Sequence, residues 1–268
     1  MTNLTLNNGI KMPCFGLGVW KMSEHEAQKA VEEALKVGYR LIDTARAYGN
    51  EKGVGKAIKK SNIPRGEIFI TTKLAYADEG YDSGLKAFDD SMNDLKLEYL
   101  DLYLIHFPVP LKRLESWKAL EQIYKSGRCK AIGVSNYTIE HLEELKNNSS
   151  IVPVINQVEF HPFLYQKELL NYCNKNNIIL EAYSPLTSGQ RMNDQVVIDI
   201  ANKYHKSYSQ ILLKWSVQND IIPIPKTTHK DRMEENINIF DFQLDIADME
   251  RLNNLNENLR TCWDPSNV

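Results

Sequence analysis

The sequence has few cysteines, no long apolar run and no recognisable leader segment. Its four cysteines (Cys14, Cys129, Cys173 and Cys262) stand apart without C-x-x-C pairs, which argues against a disulfide framework or a zinc site and favours free thiols in a reducing compartment. The start MTNLTLNNGIKMPCF lacks the charged region and apolar stretch of a signal peptide, and no later run approaches the length of a membrane span. We therefore expect a cytoplasmic protein with no membrane partner.

The sequence also lacks a strong excess of positive or negative charge. The 32 basic and 35 acidic residues are spread along the chain and leave a net charge of -3, so there is no electrostatic footprint for nucleic acid. A small-molecule partner is favoured. The 268 residues are 43% hydrophobic, which is enough to bury a full core, and no linker or low-complexity stretch divides them. We predict one domain over residues 1–268.

Short apolar runs alternate with longer stretches of helical period, which is typical of repeated strand-helix units. Asn7-Asn8-Gly9 lies between two short extended runs and predicts a β-hairpin before the first repeat. Ser23, with Glu26 three residues later, predicts a helix start, and Gly38 predicts its end. Eight candidate strands follow, over residues 15–18, 39–43, 68–73, 100–106, 131–135, 154–159, 178–183 and 221–225.

A glycine-rich phosphate turn is absent after the first strand. Gly16-Leu17-Gly18 lacks the next glycine and the following helix that an open dinucleotide-binding sheet requires. Eight parallel strands separated by helices can instead close on themselves. We predict an α/β fold, a (β/α)8 TIM barrel with an N-terminal β-hairpin plug and two extra helices in its last third.

Polar residues end several of the apolar runs. In a barrel the active site is built at the C-terminal ends of the strands, so these residues share one rim. They are Asp43, Lys73, His106 and Tyr183, with Tyr48 in the loop just after Asp43.

This set suits hydride transfer to a ketone or aldehyde, because charge develops on the carbonyl oxygen and must be met by a proton and fixed donors. Asp43 and Lys73 are expected to form an ion pair. Lys73 is expected to lower the pKa of Tyr48 from about 10, so that Tyr48 acts as the acid while His106 holds the substrate oxygen. Tyr183 offers a flat face for a nicotinamide ring. Residues at the ends of strands five and six can bind the carboxamide of the ring: Ser135, Asn136 and Gln157.

Each of these residues also has a simpler interpretation. A lone Asp or Lys at a strand end is more often an ordinary salt bridge than a catalytic group. Glu159 and His161 could be metal ligands, but no third ligand has supporting spacing, so packing or loop shaping is favoured and no metal site is predicted. Several rim residues converging in one place are harder to explain by chance.

Motifs along nearly the whole chain resemble those of the aldo-keto reductases. They are GLGVW, IDTARAYGNE, TTK, LDLYLIHFP, AIGVSN, NQVEFHP, YSPL and IPKTTHKDRMEEN, in that order. The resemblance is specific because separate strand-end motifs agree. It is greatest to the short prokaryotic and protozoan branch, which is similar to 2,5-diketo-gluconate reductases, glyoxal reductases and prostaglandin F synthases.

The resemblance implies a (β/α)8 barrel in which Tyr48, Asp43, Lys73 and His106 are catalytic. It places Ser184 and Leu186 along the cofactor pyrophosphate and Trp20 in the wall of the substrate pocket. The residues implied for the adenosine end are Lys226, Thr227, Arg232, Glu235 and Asn236. Two cations there favour NADPH over NADH, although a solvated basic patch would have the same composition.

Departures from the family pattern bear on the substrate. Phe107 and Ala75 stand where many relatives carry Trp, and the segment 186–193 and the tail after residue 256 are short. Both features predict less bulk around the pocket. We expect a monomeric, NADP-dependent reductase of small aldehydes and ketones. Two alternatives remain, namely a lyase that forms a Schiff base on Lys73 and a nicotinamide-binding accessory or sensor protein on a reductase fold.

Overall fold

A computed structural model of the protein describes residues 2–265. A short antiparallel hairpin, β1 and β2, precedes one sheet of eight parallel strands, β3 to β10, in which neighbours follow chain order. The strands are β1 (Asn3–Thr5), β2 (Lys11–Pro13), β3 (Leu17–Gly18), β4 (Leu41–Asp43), β5 (Phe69–Leu74), β6 (Leu102–Ile105), β7 (Ile132–Ser135), β8 (Ile155–Glu159), β9 (Ile179–Tyr183) and β10 (Ile222–Pro223).

Backbone hydrogen bonds join the first and last parallel strands. The Gly16 N–H donates to the Pro223 carbonyl oxygen at 3.1 Å, and the Gly18 N–H donates to the Pro225 carbonyl oxygen at 3.2 Å. A Cβ at position 18 would lie 2.9 Å from the Ile224 carbonyl oxygen, so only glycine allows this approach. The sheet closes on itself, and the predicted barrel is confirmed.

Within the described residues, ten α-helices alternate with or follow the barrel strands: α1 (Glu24–Val37), α2 (Glu51–Lys60), α3 (Tyr81–Leu95), α4 (Arg113–Lys125), α5 (Ile139–Asn148), α6 (Lys167–Lys175), α7 (Gln195–Tyr204), α8 (Tyr208–Gln218), α9 (Lys230–Ile237) and α10 (Ile246–Asn253). Ser23 and Glu26 form the expected capping box of α1, and Gly38 ends it with φ 114°. Two helices, α7 and α8, lie between β9 and β10, and two more, α9 and α10, follow β10. Each of these positions therefore has one helix more than a regular strand-helix repeat, which gives the two extra helices. Among residues 2–265, no helix has the length and hydropathy needed to cross a bilayer.

The hairpin closes the N-terminal end of the barrel. Leu6 and Met12 are buried in one cluster with strand residues such as Phe69 and Leu104 inside the barrel. The Asn7 side chain donates to the Pro153 carbonyl oxygen at 3.1 Å, just before β8. Since one end is filled by this plug, the opposite rim, where the parallel strands end, is left to carry the site.

Candidate active site

A buried ion pair lies at the ends of β4 and β5. Lys73 Nζ is 2.6 Å from Asp43 Oδ1, and the two residues are 0% and 2% exposed. The ammonium also donates to the Thr44 carbonyl oxygen at 2.9 Å. The expected Asp43–Lys73 pair is confirmed, and its partners satisfy a charge that would otherwise be costly to bury.

Tyr48 lies in a one-turn 3-10 helix (Arg46–Tyr48) directly after β4. Buried Asn50 supports this turn, because it accepts from Thr44 Oγ1 at 2.7 Å and donates to the Val19 carbonyl oxygen at 2.9 Å. The turn brings Tyr48 Oη to 3.3 Å from Lys73 Nζ, which donates to it. The phenol therefore accepts a hydrogen bond from the same ammonium that pairs with the Asp43 carboxylate.

The pKa of Tyr48 is raised, not lowered as the sequence led us to expect. Burial disfavours the phenolate more than the positive charge of Lys73 favours it, and the nearby carboxylates of Asp43 and Glu181 raise the pKa further. The tyrosine thus keeps its proton at neutral pH. Lys73 Nζ is within hydrogen-bond distance of the phenol oxygen whether or not the proton is present.

His106 follows β6 and meets Tyr48 edge to face, with ring centroids 5.5 Å apart and an interplanar angle of 74°. Burial and the neighbouring charge of Lys73 lower the pKa of His106 to about 3. The imidazole is therefore neutral, and its Nδ1 has no hydrogen-bond partner among the described residues. A neutral imidazole has one N–H to offer to an oxygen beside Tyr48.

The residues predicted to bind the nicotinamide ring and its carboxamide form one connected network. Tyr183 Oη donates to Asn136 Oδ1 at 2.8 Å, and Asn136 Nδ2 donates to the His106 carbonyl oxygen at 3.0 Å and to Ser135 Oγ at 3.1 Å. Ser135 Oγ in turn donates to the Gln157 carbonyl oxygen at 2.8 Å. The structure thus brings the four residues together beside His106, although their binding role remains a prediction.

The loop after β9 holds several residues in the left-handed region. Ser184, Thr187 and Ser188 have φ values of 48°, 53° and 50°. Non-glycine residues take such values at an energetic cost, and they cluster where a backbone is shaped around a ligand. Leu186, half-buried in this loop, and Ser184 are the residues that the family resemblance assigns to the pyrophosphate.

The predicted adenosine residues lie after β10 and on α9. Lys226 and Arg232 are exposed, and neither has a salt-bridge partner within residues 2–265, whereas Lys230 between them pairs with Glu234 at 3.4 Å. Unpaired cations suit a phosphate group. The remaining members are placed differently: Thr227 and Asn236 are buried, and Glu235 is exposed and accepts from Ser207 Oγ.

An aromatic pair not foreseen from the sequence lies beside His106 at the rim. Phe107, next to His106, is buried under Trp263 of the tail, and their rings stack with centroids 4.2 Å apart. Trp20 is 44% exposed at the rim after β3, and Ala75 is buried after β5. The tail is short, but its Trp263 still adds bulk on the Phe107 side of the predicted pocket.

Glu159 at the end of β8 explains how the tail is held. Its carboxylate accepts from the backbone N–H and the hydroxyl of Thr261, at 2.7 and 2.6 Å, and from the Cys262 N–H at 3.1 Å. His161 Nε2 lies 3.4 Å from it. We call Glu159, Thr261 and Cys262 the tail latch. Glu159 shapes a loop, as the sequence favoured, but its partners are about a hundred positions away and carry no sequence signal.

Glu181 is a second carboxylate that sequence reasoning missed. It lies in the middle of β9, and its Oε2 accepts from Gln157 Nε2 at 2.7 Å, while the same nitrogen donates to Asp43 Oδ2 at 2.8 Å. The available signal is an acidic residue inside an apolar run two positions before Tyr183.

A (β/α)8 barrel whose C-terminal rim joins a tyrosine, a paired lysine and a neutral histidine defines an oxidoreductase that acts on carbonyl groups. Comparison with known proteins agrees. The chain belongs to the Aldo/keto reductase family, whose model matches residues 12–257. It therefore reduces carbonyl compounds, which confirms both the family resemblance and the reaction class.

Similar proteins cover nearly the whole chain. An uncharacterised oxidoreductase, YtbE, of Bacillus subtilis is 53% identical, over 98% of this chain and 96% of its own length. The glyoxal reductase of the same organism is 48% identical with the same coverage. Among solved structures, a Bombyx mori aldo-keto reductase in complex with NADP superimposes with a TM-score of 0.93 at 37% identity, over 97% of this chain and 94% of that chain.

Proposed function

We propose that the protein reduces small aldehydes and ketones to alcohols with NADPH, using Tyr48 as the proton donor. The observation that carries the proposal is the shared ammonium of Lys73, which lies 2.6 Å from Asp43 Oδ1 and 3.3 Å from Tyr48 Oη. A phenol that loses its proton beside this ammonium leaves a phenolate that the ammonium stabilises.

Tyr48, His106 and Lys73 have separate roles in the proposed reaction. A substrate oxygen placed between Tyr48 and His106 accepts one hydrogen bond from the phenol and one from the neutral imidazole. When bound, NADPH supplies the hydride. As negative charge grows on the substrate oxygen, Tyr48 transfers its proton to it, because an alkoxide is a stronger base than a phenolate. Lys73, held in place by Asp43, then stabilises the phenolate.

The cofactor proposal rests on groups that are still available for binding. Gln157 uses both amide hydrogens on carboxylates, so its Oε1 is the atom left to accept from a carboxamide. Tyr183 presents its ring at the same rim, and Ser184 and Leu186 would line the pyrophosphate. Lys226 and Arg232 would pair with the 2′-phosphate, which is why NADPH is proposed over NADH.

The substrate proposal is a small carbonyl compound, with dicarbonyls such as glyoxal among the first to test. The relative that is 48% identical is a glyoxal reductase. The proposed pocket lies between Trp20, Ala75 and the Phe107–Trp263 pair, so a compact substrate suits it better than a bulky one. Broad specificity within this class is expected.

The Schiff-base alternative fits poorly with the state of Lys73. Burial lowers the pKa of Lys73, but the Asp43 carboxylate 2.6 Å away outweighs it and raises the pKa, so the ammonium holds its proton. A protonated amine is not a nucleophile. The sensor alternative differs in outcome, because a pure binder would take up NADPH without oxidising it when a carbonyl compound is added.

The deciding experiment compares Tyr48→Phe with the wild type in a screen of NADPH oxidation against glyoxal, methylglyoxal, aromatic aldehydes, sugars and keto acids. Turnover should fall by about a thousandfold or more with NADPH binding retained, since a positioned general acid supplies about 10²–10⁴-fold. Tyr76→Phe, at an exposed tyrosine on a nearby loop, is the matched control. Wild-type rates in Tyr48→Phe would disprove the assignment.

We also propose a single-domain, cytoplasmic monomer. Its support is the one barrel that spans residues 2–265 and the presence of four free cysteines, three of them buried. Light scattering after size exclusion, with and without NADPH, tests the monomer.

A further inference from the structure

Glu181 is a fully buried carboxylate with an incomplete set of partners. It is 0% exposed in the middle of β9 and faces the barrel interior next to Gln157, its cross-strand partner on β8. One oxygen, Oε2, accepts from Gln157 Nε2 at 2.7 Å. The other, Oε1, has no hydrogen-bond partner among residues 2–265. A buried acid with one satisfied oxygen needs a physical account.

The Gln157 amide is fixed by two carboxylates. Its nitrogen donates to Asp43 Oδ2 at 2.8 Å and to Glu181 Oε2 at 2.7 Å, which uses both of its hydrogens. The orientation of the amide follows, because turning it over would place its oxygen against two carboxyl oxygens. Glu181 therefore determines, together with Asp43, where the free carbonyl oxygen of Gln157 points.

The charges in this cluster decide the state of Glu181. The titratable groups around it are Asp43 on β4, Lys73 on β5 and Tyr48 in the following turn. Asp43 and Lys73 cancel, and Tyr48 is neutral. An ionised Glu181 would leave an unpaired negative charge in a buried site, which is costly. Burial first, and repulsion by Asp43 second, raise the pKa of Glu181 to about 8.

We propose that protonated Glu181 is a positioning residue for carbonyl reduction, holding the Gln157 amide in place and keeping the Asp43–Lys73–Tyr48 cluster free of net charge. The inference rests on the proposed function. When Tyr48 gives its proton to the substrate oxygen, the phenolate that remains brings the net charge of the cluster from 0 to -1, beside the Lys73 ammonium. If Glu181 has already ionised, the same step brings the net charge from -1 to -2, so repulsion between the two negative groups makes proton donation harder.

The first test is the pH dependence of kcat/KM in wild type, Glu181→Gln and Glu79→Gln. The wild-type value should fall about tenfold per pH unit once Glu181 ionises above pH about 8. Glu181→Gln, which stays neutral, should lose this decline. Glu79 is the matched control, because burial raises its pKa to about 8 too, whereas its carboxyl group accepts from Ser116 Oγ and not from Gln157. A decline that persists in Glu181→Gln, or disappears in Glu79→Gln, overturns the proposal.

The second test needs neither cofactor nor substrate. Between pH 4.5 and about 8 the folded protein keeps a proton on Glu181 that the unfolded chain has lost, so folding stability decreases as pH rises through this window. The Tm of Glu181→Gln should rise relative to wild type from pH 5 to 8. A constant difference contradicts a protonated Glu181. If no carbonyl is reduced at any pH, the proposed function fails while this test still stands.

Glu181→Leu tests the positioning role apart from the charge of Glu181, because it removes the carboxyl oxygen that accepts from Gln157 Nε2. The KM for NADPH should rise at every pH, and the effect on kcat at pH 7 should be smaller. Glu181→Gln, which keeps an acceptor, should restore the KM. Equal KM values for both variants and wild type would show that Gln157 needs no support from position 181.

Discussion

Trp263 stacks on Phe107, with ring centroids 4.2 Å apart and 28° between the ring planes. One residue follows the histidine at the end of β6, and the other belongs to the tail. An aromatic pair of this kind contributes about 0.5–1.5 kcal/mol beyond the area it buries. The contact therefore sets the position of the tail at the mouth of the proposed pocket, although Trp263 itself remains two-thirds exposed, at 66%.

Replacing Trp263 by alanine should widen the pocket. We expect kcat/KM for bulky aromatic ketones to rise about fivefold, from the roughly 1 kcal/mol of steric and stacking energy involved, while glyoxal and NADPH parameters change little. Steady-state kinetics on paired small and bulky substrates measures this. Ile246→Ala, at an exposed residue that begins α10, serves as control. Parallel changes for both substrates would contradict a role in selecting size.

Replacing Glu159 by glutamine should loosen the tail latch. Burial opposes ionisation of Glu159, but hydrogen bonds from His161 and Thr261 outweigh it and lower the pKa, so the latch uses a charged acceptor. Losing that charge removes about 1.5–3 kcal/mol from the latch. Limited proteolysis should cut the tail sooner in this variant, and Glu250→Gln, at an exposed carboxylate on α10, should behave as wild type.

The barrel and the rim could be predicted because their signals are local. Apolar runs, the Ser23 cap and Gly38 mark the elements, and Asp43 and Lys73 each stand at the end of a run on neighbouring strands. Closure of parallel strands then brings those ends together without further information. The geometry of the Asp43–Lys73 pair follows from that order.

Other features could not be predicted because they depend on packing between distant segments. Glu159 and Thr261 are 102 positions apart, and no period or spacing relates them. The direction of the Tyr48 pKa shift depends on how deeply the phenol is buried, which motif spacing does not encode. The sequence indicated the lysine beside the tyrosine, but the balance of desolvation and charge required the folded environment.

Lys73→Met should destabilise the protein by about 3–5 kcal/mol, because it leaves the Asp43 carboxylate buried without its cation. Activity should be lost with it. The double variant Asp43→Asn/Lys73→Met removes both charges and should recover much of the stability but none of the turnover. Urea unfolding of the single and double variants measures the coupling between the residues. Additive losses would argue against a coupled pair.

His106 should not titrate in the working pH range. Burial and Lys73 lower its pKa from 6.5 to about 3, so kcat/KM should show no acid limb near pH 6.5. The unfolded chain takes up a proton below pH 6.5 that the folded protein refuses, so this stability contribution is lost as pH falls toward 3. His106→Gln should flatten that part of the curve of Tm against pH. An imidazole resonance titrating near pH 6.5 and absent in this variant would contradict the prediction.

Arg232→Ala should change the choice of cofactor. If Arg232 meets the 2′-phosphate, its loss removes a charge-assisted contact of about 1.5–3 kcal/mol, which raises the KM for NADPH by about 10- to 100-fold and leaves NADH unaffected. Lys230→Ala, on the same helix but at a lysine paired with Glu234, is the matched control. Because the contact is ionic, the wild-type preference for NADPH should weaken with added salt, and that of the Arg232 variant should weaken less. Equal losses for NADPH and NADH would place Arg232 outside the phosphate site and return the basic stretch to an ordinary solvated surface.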